Sequence, residues 1–387
     1  MKTKLCLLLL ASAFIACDVI DDSESELAPE RTVLVYMPGE NNLSANVSKN
    51  INDMYECLAG SNYKQNLIAF ADKRDAAPCM LRITPNSIDT LTVFEGLNLT
   101  DASTLSMAIE YVKENCRNKS YGLVLWGHGT GWIPLSQLHN VADNLGYAPM
   151  RSATRSYALE YNTGKNRVMH SMDLDSMLTA IPDGMFDFIA FDACYMANVE
   201  VAYALRNKAD YIIASCAEVA GSGYPYRTVT KHLIDNNLTG VCGGFMDYYD
   251  SREGMECMGD ISLIHTAGLD SLAQCCRKII AEYKDAIPDM DVTAIQHFDG
   301  FNKHTYYDIE DFLEKLGTRK EYLDEFKSQM KKCVFYKNST PYMFPGEYNE
   351  LEIRKHSGMS VYIPIREYES IGLNQEYTKT EWYKATY

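Results

Sequence analysis

The sequence predicts an α/β fold built on a central, mainly parallel sheet. Short apolar runs rich in β-branched and aromatic residues alternate with segments whose apolar residues recur at helical spacing. Strands that alternate with helices form βαβ units, and near-continuous apolar strands fit a sheet covered on both faces. The 387 residues are enough for one main domain with additional segments.

The composition narrows the class of protein. It is 47% hydrophobic and 23% charged, as in globular proteins. The formal net charge of -16 disfavours nucleic acid and anionic membrane surfaces as partners, because like charges repel. The cysteines include no CxxC pair, and the histidines have no metal-ligand spacing to one another, so no metal site is predicted.

The N-terminal residues are predicted to be an export signal. Lys2 and Lys4 precede an apolar stretch over 5–15, which is shorter than the roughly 20 residues of a transmembrane helix. Residues 14–17 (FIAC) resemble a bacterial lipobox, so we expect residues 1–16 to be removed and Cys17 to carry a lipid. The acidic stretch 17–30 would be a solvated tether. The predicted location is the outer membrane or cell surface, or else the periplasm or exterior if Cys17 is incidental.

Strand runs and capping residues mark the first part of the predicted core. Ser44 or Asn46 can cap a helix that continues through residue 58 and that Gly60 ends. Ser103 or Thr104 begins a second helix with apolar residues at helical spacing. The predicted strands here are 32–36 (TVLVY), 66–71 (NLIAFA) and 79–84.

Two longer apolar runs end in residues that can carry chemistry. Residues 121–129 (YGLVLWGHG) end with His128 between two glycines, and residues 186–194 (FDFIAFDAC) end with Cys194. They are predicted to be neighbouring parallel strands, whose carboxyl ends meet at the sheet edge where ligands bind. Acyl transfer by a thiol needs a histidine to protonate the leaving amine, and amide donors for the oxyanion. The N–H groups of Gly129 and Cys194 are candidates for these donors, although a lone cysteine is more often an inert buried thiol.

The remaining segments complete a predicted core over 31–226. A polar, turn-rich insertion at about 135–170 is typical of a loop or lid. Residues 227–387 are predicted to be a mainly helical elaboration that returns one core strand near 358–364. The other predicted elements are a strand at 209–214 and helices at 172–181, 198–205, 228–249, 262–283 and 309–335.

Four segments together resemble the clostripain family of cysteine peptidases. They are LWGHGTGW, FDFIAFDACYMANVEVAYAL, ASCAEVAGSGYPY and GMSVYIP. The resemblance implies a caspase-like α/β/α sandwich and a cysteine endopeptidase that acts on protein or peptide substrates through an acyl-enzyme. It implies that Cys194 is the nucleophile, His128 the acid/base and Gly129 the oxyanion-hole amide.

The resemblance also implies where substrate specificity arises. Asp192 matches the acid associated with recognising Arg or Lys before the cleaved bond, although a strand-end aspartate can equally be a structural acceptor of backbone bonds. Ser222 is a second candidate for substrate binding, and it lies in a GSG segment where some relatives carry a further acid. That difference leaves Asp192 as the only acid predicted to favour a basic residue.

The family resemblance adds two expectations and leaves two alternatives open. Some relatives are cut between the histidine and the cysteine, and the basic residues available there are Arg151, Arg155, Lys165 and Arg167. Calcium activates some relatives, but no D-x-D-x-D-G loop is present to support a calcium site. One alternative is an inactive surface binding lipoprotein of the same fold. The other is a thiol amidase or transpeptidase.

Overall fold

The computed structural model describes residues 31–74, 76–116, 118–134, 137, 172–301, 303–347 and 349–387, with the backbone of 160–161 and 169–170. These residues form one nine-stranded sheet. Its strands are β1 Arg31–Met37, β2 Asn66–Lys73, β3 Ala76–Ile83, β4 Ile88–Val93, β5 Ser120–Trp126, β6 Phe186–Asp192, β7 Ala209–Ala214, β8 Asp260–His265 and β9 Val334–Ser339. Their order across the sheet is β9-β8-β7-β6-β5-β1-β2-β3-β4.

The sheet is parallel at its centre and antiparallel at both sides. β2, β1, β5, β6 and β7 pair in parallel, whereas β3, β4, β8 and β9 add antiparallel strands at the two edges. The central strands are buried, as expected when helices cover both faces. The predicted α/β/α class with a mainly parallel centre is therefore confirmed.

Helices cover the two faces and create two separate cores. Leu34 and Tyr36 of β1 point into one core and Val33 and Val35 into the other, as the alternation of side chains along a strand requires. The helices are α1 Ser44–Leu58, α2 Ala102–Asn115, α3 Leu174–Ala180, α4 Val199–Ala204, α5 Tyr226–Ile234, α6 Leu238–Asp250, α7 Leu269–Tyr283, α8 Ile309–Lys315, α9 Lys320–Cys333, α10 Leu373–Tyr377 and α11 Glu381–Thr386.

The C-terminal half contributes to the sheet differently from the prediction. β8 and β9 belong to the main sheet, so residues 227–387 are not only a helical elaboration. The helix predicted over 262–283 is wrong at its start, which lies in β8, because periodicity alone cannot separate a short buried strand from a helix. The strand predicted near 358–364 is the pair Ser360–Val361, which bonds to Tyr307–Asp308 outside the main sheet. Within the described residues no helix is both long and apolar enough to cross a membrane.

Candidate active site

The ends of β5 and β6 bring the two predicted motifs together. The strands pair in parallel up to Trp126 and Asp192, and the N–H of Gly127 donates to the carbonyl of Asp192 at 3.2 Å. His128 and Cys194 each follow two residues after that last pair. A Cβ on Gly129 would lie 2.1 Å from the carbonyl oxygen of Cys194. Only glycine allows this approach, so the His128 segment rests directly on the backbone of Cys194.

A residue from the loop after β1 holds the imidazole of His128. Nε2 of His128 lies 2.7 Å from Oδ1 of Asn42, an exposed residue between β1 and α1. Because an amide oxygen only accepts hydrogen bonds, this contact places the proton on Nε2 and makes Nδ1 the basic nitrogen. Sequence reasoning missed Asn42, since its turn-rich loop carries no pattern that relates it to His128.

The sulfur of Cys194 is enclosed by the segment after β7. Its Sγ accepts a hydrogen bond from the N–H of Val219 at 3.2 Å and lies 3.7 Å from the carbonyl oxygen of the same residue. When the thiol is deprotonated, this N–H can stabilise the thiolate, which is the nucleophilic form. Cys194 is only 1% exposed in this arrangement, so a peptide can reach it only after neighbouring residues move.

A strained turn follows Cys194 and is fixed from three sides. Tyr195 has φ of +59°, which non-glycine residues rarely adopt and which its surroundings must stabilise. Its N–H donates to the carbonyl of Ala217 at 2.9 Å, and its ring stacks on the ring of Tyr306, with the two ring centroids 4.5 Å apart. The hydroxyl of Tyr306 donates to the carbonyl of Thr130 at 2.6 Å. Tyr306 therefore links the His128 and Cys194 segments, a role that its distant position in the sequence does not reveal.

Glu218 is a buried acid beside this turn. Its Oε1 accepts a hydrogen bond from the hydroxyl of Tyr195 at 2.7 Å. Burial raises the pKa of Glu218 to about 8, with a further increase from Asp299, whereas the Tyr195 hydrogen bond opposes the shift. At neutral pH the carboxyl group is thus mostly protonated in the folded protein.

Replacing Glu218 by glutamine is expected to reduce the pH dependence of stability. The folded-state pKa exceeds the ordinary value of 4.5, so this group's stabilising contribution is fully present below pH 4.5 and lost as pH rises through 8. Glutamine keeps an oxygen acceptor for Tyr195 and cannot ionise. Glu218→Gln should therefore raise the free energy of unfolding at pH 8 by on the order of 1–3 kcal/mol, and by less at pH 5. Urea unfolding of proteins that also carry Cys194→Ala measures the free energy of unfolding at pH 8 and at pH 5. If Glu218→Gln changed it by the same amount at both pH values, the raised pKa of Glu218 would be wrong.

The two predicted substrate-binding residues lie in different environments. Asp192 is completely buried, and its Oδ2 accepts a hydrogen bond from the hydroxyl of Tyr226 at 3.0 Å. Ser222 is half-buried, with Oγ 3.1 Å from the hydroxyl of Tyr249. The structure therefore gives Asp192 an internal partner, and its role toward substrate stays a prediction. The signal over 1–16, Cys17, the tether, and the basic residues Arg151, Arg155, Lys165 and Arg167 lie outside the described residues.

Two clusters of metal-ligating side chains are present that sequence spacing did not predict. One consists of Cys216, Asp260 and His356, and the other of His297, Asp299 and His304. Cys216, Asp260 and His356 come together only through the fold, whereas His297, Asp299 and His304 lie within one short stretch whose spacing is not that of a common metal motif. Each of these two clusters contains histidine, and Ca²⁺ prefers an all-oxygen environment. The clusters therefore do not fit the calcium ion that the resemblance suggested.

The comparison with known proteins identifies the family. The model of the clostripain family matches residues 35–387, which is nearly the whole chain. The chain belongs to the clostripain family. This confirms the resemblance drawn from the four sequence segments and places the chain among cysteine peptidases.

The chain spans less than half the length of the curated relative that it matches, but nearly the whole of several solved relatives. Clostripain of Hathewaya histolytica is 27% identical over 236 residues, which are 52% of this chain and 42% of that protein. The structure of an inactive zymogen C11 protease from Parabacteroides distasonis is 32% identical, with a TM-score of 0.79, and the match covers 93% of this chain and 99% of that one. Iotapain, a secreted C11 cysteine protease of Bacteroides thetaiotaomicron, is 25% identical with a TM-score of 0.77, covering 93% and 100%. A further structure, of a secreted C11 cysteine protease from that organism with an irreversible peptide inhibitor, is 26% identical with a TM-score of 0.75, covering 92% and 99%.

Proposed function

We propose that this protein is a cysteine endopeptidase in which Cys194 and His128 form the catalytic dyad. The observation that carries the proposal is the contact of Gly129 with the backbone of Cys194, which puts the imidazole segment and the thiol at one edge of the sheet. Membership of a cysteine peptidase family supports the same reaction. The inactive binding module is less well supported, because both residues of the dyad are present. A thiol amidase or transpeptidase would use the same dyad, so analysis of the products formed with peptides and with amine acceptors separates it from a peptidase.

The geometry suggests how each group would act. The Cys194 thiolate attacks the peptide carbonyl carbon, and the N–H groups of Gly129 and Cys194 stabilise the oxyanion that forms. His128 donates a proton to the leaving amine as the C–N bond breaks, which leaves an acyl-enzyme. Water then attacks the thioester, His128 takes its proton, and the thiolate leaves as the carboxylic acid product forms. Asn42 orients the imidazole for both proton transfers.

The buried sulfur of Cys194 suggests that this structure is the uncleaved precursor of the enzyme, in which a substrate cannot reach the thiol. Cys194 is almost fully buried, and a relative of similar fold is described as an inactive zymogen. We infer that a cut within 135–170 opens the site, with Arg151, Arg155, Lys165 and Arg167 as the candidate positions. The predicted export signal and the lipid on Cys17 would place the enzyme in the cell envelope, which agrees with a relative described as secreted.

Covalent labelling tests which thiol is the nucleophile. A peptide chloromethyl ketone with lysine next to the reactive group is expected to form a thioether at Cys194 as chloride leaves. Mass spectrometry of the digested protein locates the label. Cys216 is an internal control, because it is as deeply buried but its sulfur contacts the carbonyl of Ala197 rather than the N–H of Val219. If the intact chain does not react, the chain cut within 135–170 should. Labelling at Cys216, or none at Cys194 in either form, would refute the dyad.

The preference for a basic residue depends on Asp192. Asp192→Asn is expected to lower kcat/KM for substrates with Arg or Lys before the cleaved bond by at least about tenfold, since a hydrogen bond to a charged group is lost. Substrates with a neutral residue at that position should be affected much less. Tyr226→Phe is the matched control, because it removes the hydroxyl that contacts Asp192 but keeps the carboxylate. Equal losses on both substrate types would assign Asp192 a purely structural role.

A further inference from the structure

A thiol, a carboxylate and an imidazole from three distant segments meet beside the Cys194 turn. Cys216 follows β7 by two residues, Asp260 begins β8, and His356 lies in the loop before Ser360–Val361. One ligand atom from each lies within 4.8 Å of the others. Cys216 and the side chain of Asp260 are completely buried, and the side chain of His356 is 10% exposed. The cluster is thus a closed site rather than a surface group of residues.

The contacts of Asp260 and His356 leave two ligand atoms unexplained. Oδ1 of Asp260 accepts hydrogen bonds from the N–H of Cys216 at 2.6 Å and from Oγ of Ser215 at 2.9 Å. Oδ2 of Asp260 lies 2.6 Å from Nε2 of His356. Within the described chain, however, neither Oδ2 nor Nε2 has a hydrogen-bond partner of acceptable geometry. The two atoms can form an ion pair when His356 is protonated, and a third group bound to both would also satisfy them.

The surroundings of the cluster are negative. The carboxylates of Asp260 and Asp308 lie near the thiol of Cys216 and would repel a negative charge on its sulfur. Asp308 is also buried, and its Oδ2 accepts a hydrogen bond from the N–H of Ser357. The positive groups around the cluster are the imidazole of His356, when protonated, and Lys337, whose ammonium contacts the carbonyl of His356. A bound cation would offset the carboxylates and convert the thiol to a thiolate.

We propose that Cys216, Asp260 and His356 bind a divalent transition-metal ion, with Zn²⁺ as the best match. Thiolate sulfur, imidazole nitrogen and carboxylate oxygen are the ligands that Zn²⁺ combines in tetrahedral sites. On binding, the thiol of Cys216 releases its proton to solvent and His356 binds as neutral imidazole. The carbonyl of Ala197, 3.4 Å from Sγ, or the hydroxyl of Ser215 can complete the coordination. Tetrahedral geometry separates nitrogen and oxygen ligands by about 3.3 Å, so the imidazole moves by less than about 1 Å.

The position of the site connects it to the Cys194 turn. The N–H of Ala197 donates to the carbonyl of Ser215 at 2.8 Å, and the carbonyl of Ala197 accepts a hydrogen bond from the N–H of Ser360 at 2.9 Å. A metal ion held by Cys216 and His356 would therefore fix the segments on both sides of the turn. The proposal concerns binding and does not depend on peptidase activity.

Cobalt binding tests the proposal directly. The full chain carries Cys194→Ala, which removes the thiol of the proposed active site. It is reduced, freed of metal and titrated with Co²⁺ in the absence of oxygen. We expect stoichiometric binding, a near-ultraviolet sulfur-to-cobalt charge-transfer band, and loss of that band when Zn²⁺ is added. Adding Cys216→Ala should abolish the band. Adding His356→Gln should weaken Co²⁺ binding by more than the 10- to 100-fold typical of outer-shell changes.

A matched variant separates specific binding from adventitious binding. Cys242 is equally buried but lies in α6 and in the core on the opposite face of the sheet, so Cys242→Ala should keep the band and the affinity. Circular dichroism of the metal-free proteins checks that the variants fold, and if Cys216→Ala does not fold, His356→Gln decides. A band that persists in Cys216→Ala, unchanged affinity in folded His356→Gln, or no cobalt binding would overturn the proposal and leave a buried Asp260–His356 ion pair.

Discussion

Replacing Cys194 by alanine is expected to lower kcat/KM for peptide cleavage by at least about 10³-fold, because the sulfur that we propose forms the acyl-enzyme is lost. The backbone of Cys194 lies against Gly129, and its sulfur accepts a hydrogen bond from the N–H of Val219. Alanine removes only this sulfur, the proposed attacking atom, and leaves the backbone contact in place. Cleavage of peptides with Lys or Arg, followed by mass spectrometry of the products, measures the loss. The same variant should remain uncut within 135–170 if the chain processes itself.

A second thiol provides the control for this substitution. Cys242→Ala removes an equally buried sulfur from α6, on the opposite face of the sheet from the Cys194 turn, and its cleavage rate should equal that of wild type. Cys194→Ala should also keep the wild-type thermal midpoint to within a few degrees. If Cys194→Ala retained cleavage while folded, another residue would be the nucleophile and the dyad would be wrong.

Replacing Gly129 by alanine should damage both activity and stability. The new Cβ would meet the carbonyl oxygen of Cys194 at 2.1 Å and its amide nitrogen at 2.8 Å. Since both atoms belong to the backbone, the two strand ends must move apart. Overpacking of this kind costs on the order of 1–3 kcal/mol or more. A displacement near 1 Å between His128 and Cys194 is expected to lower kcat by about 10²-fold even in the folded fraction.

Replacing Gly243 by alanine is the matched control, because it is expected to stabilise the fold instead of weakening it. Gly243 lies within α6, and a methyl group on its Cα would meet no atom within 4 Å apart from the backbone of its own helix. Gly243→Ala should therefore raise the free energy of unfolding by about 0.5–1 kcal/mol and leave the cleavage rate unchanged. Urea unfolding compares the stability of Gly129→Ala and Gly243→Ala. Initial cleavage rates are measured at a temperature below the thermal midpoint of the less stable variant, so that both proteins are folded. A Gly129→Ala protein with wild-type activity would show that the two segments need not touch during catalysis.

Local patterns in the sequence were enough to predict the central strands and the meeting of the His128 and Cys194 segments at one sheet edge. The apolar runs that became β1, β5 and β6 are continuous because helices cover both faces, and His128 and Cys194 follow where those runs end. The edges were harder to predict. β4 has the polar pattern of an exposed strand, and β9 follows directly after α9, so both lack the continuous apolar run that identifies a buried strand.

The amino-acid pattern alone was enough to predict the central strands and to place His128 and Cys194 at the same sheet edge. These features depend on interactions between near neighbours in the chain, which leave a periodic pattern. Three contacts could be found only in the folded protein: Asn42 holds His128, Val219 encloses the sulfur of Cys194, and Cys216 meets Asp260 and His356. Such contacts join segments far apart in the chain, and they form only when loop conformation and core packing bring those segments together.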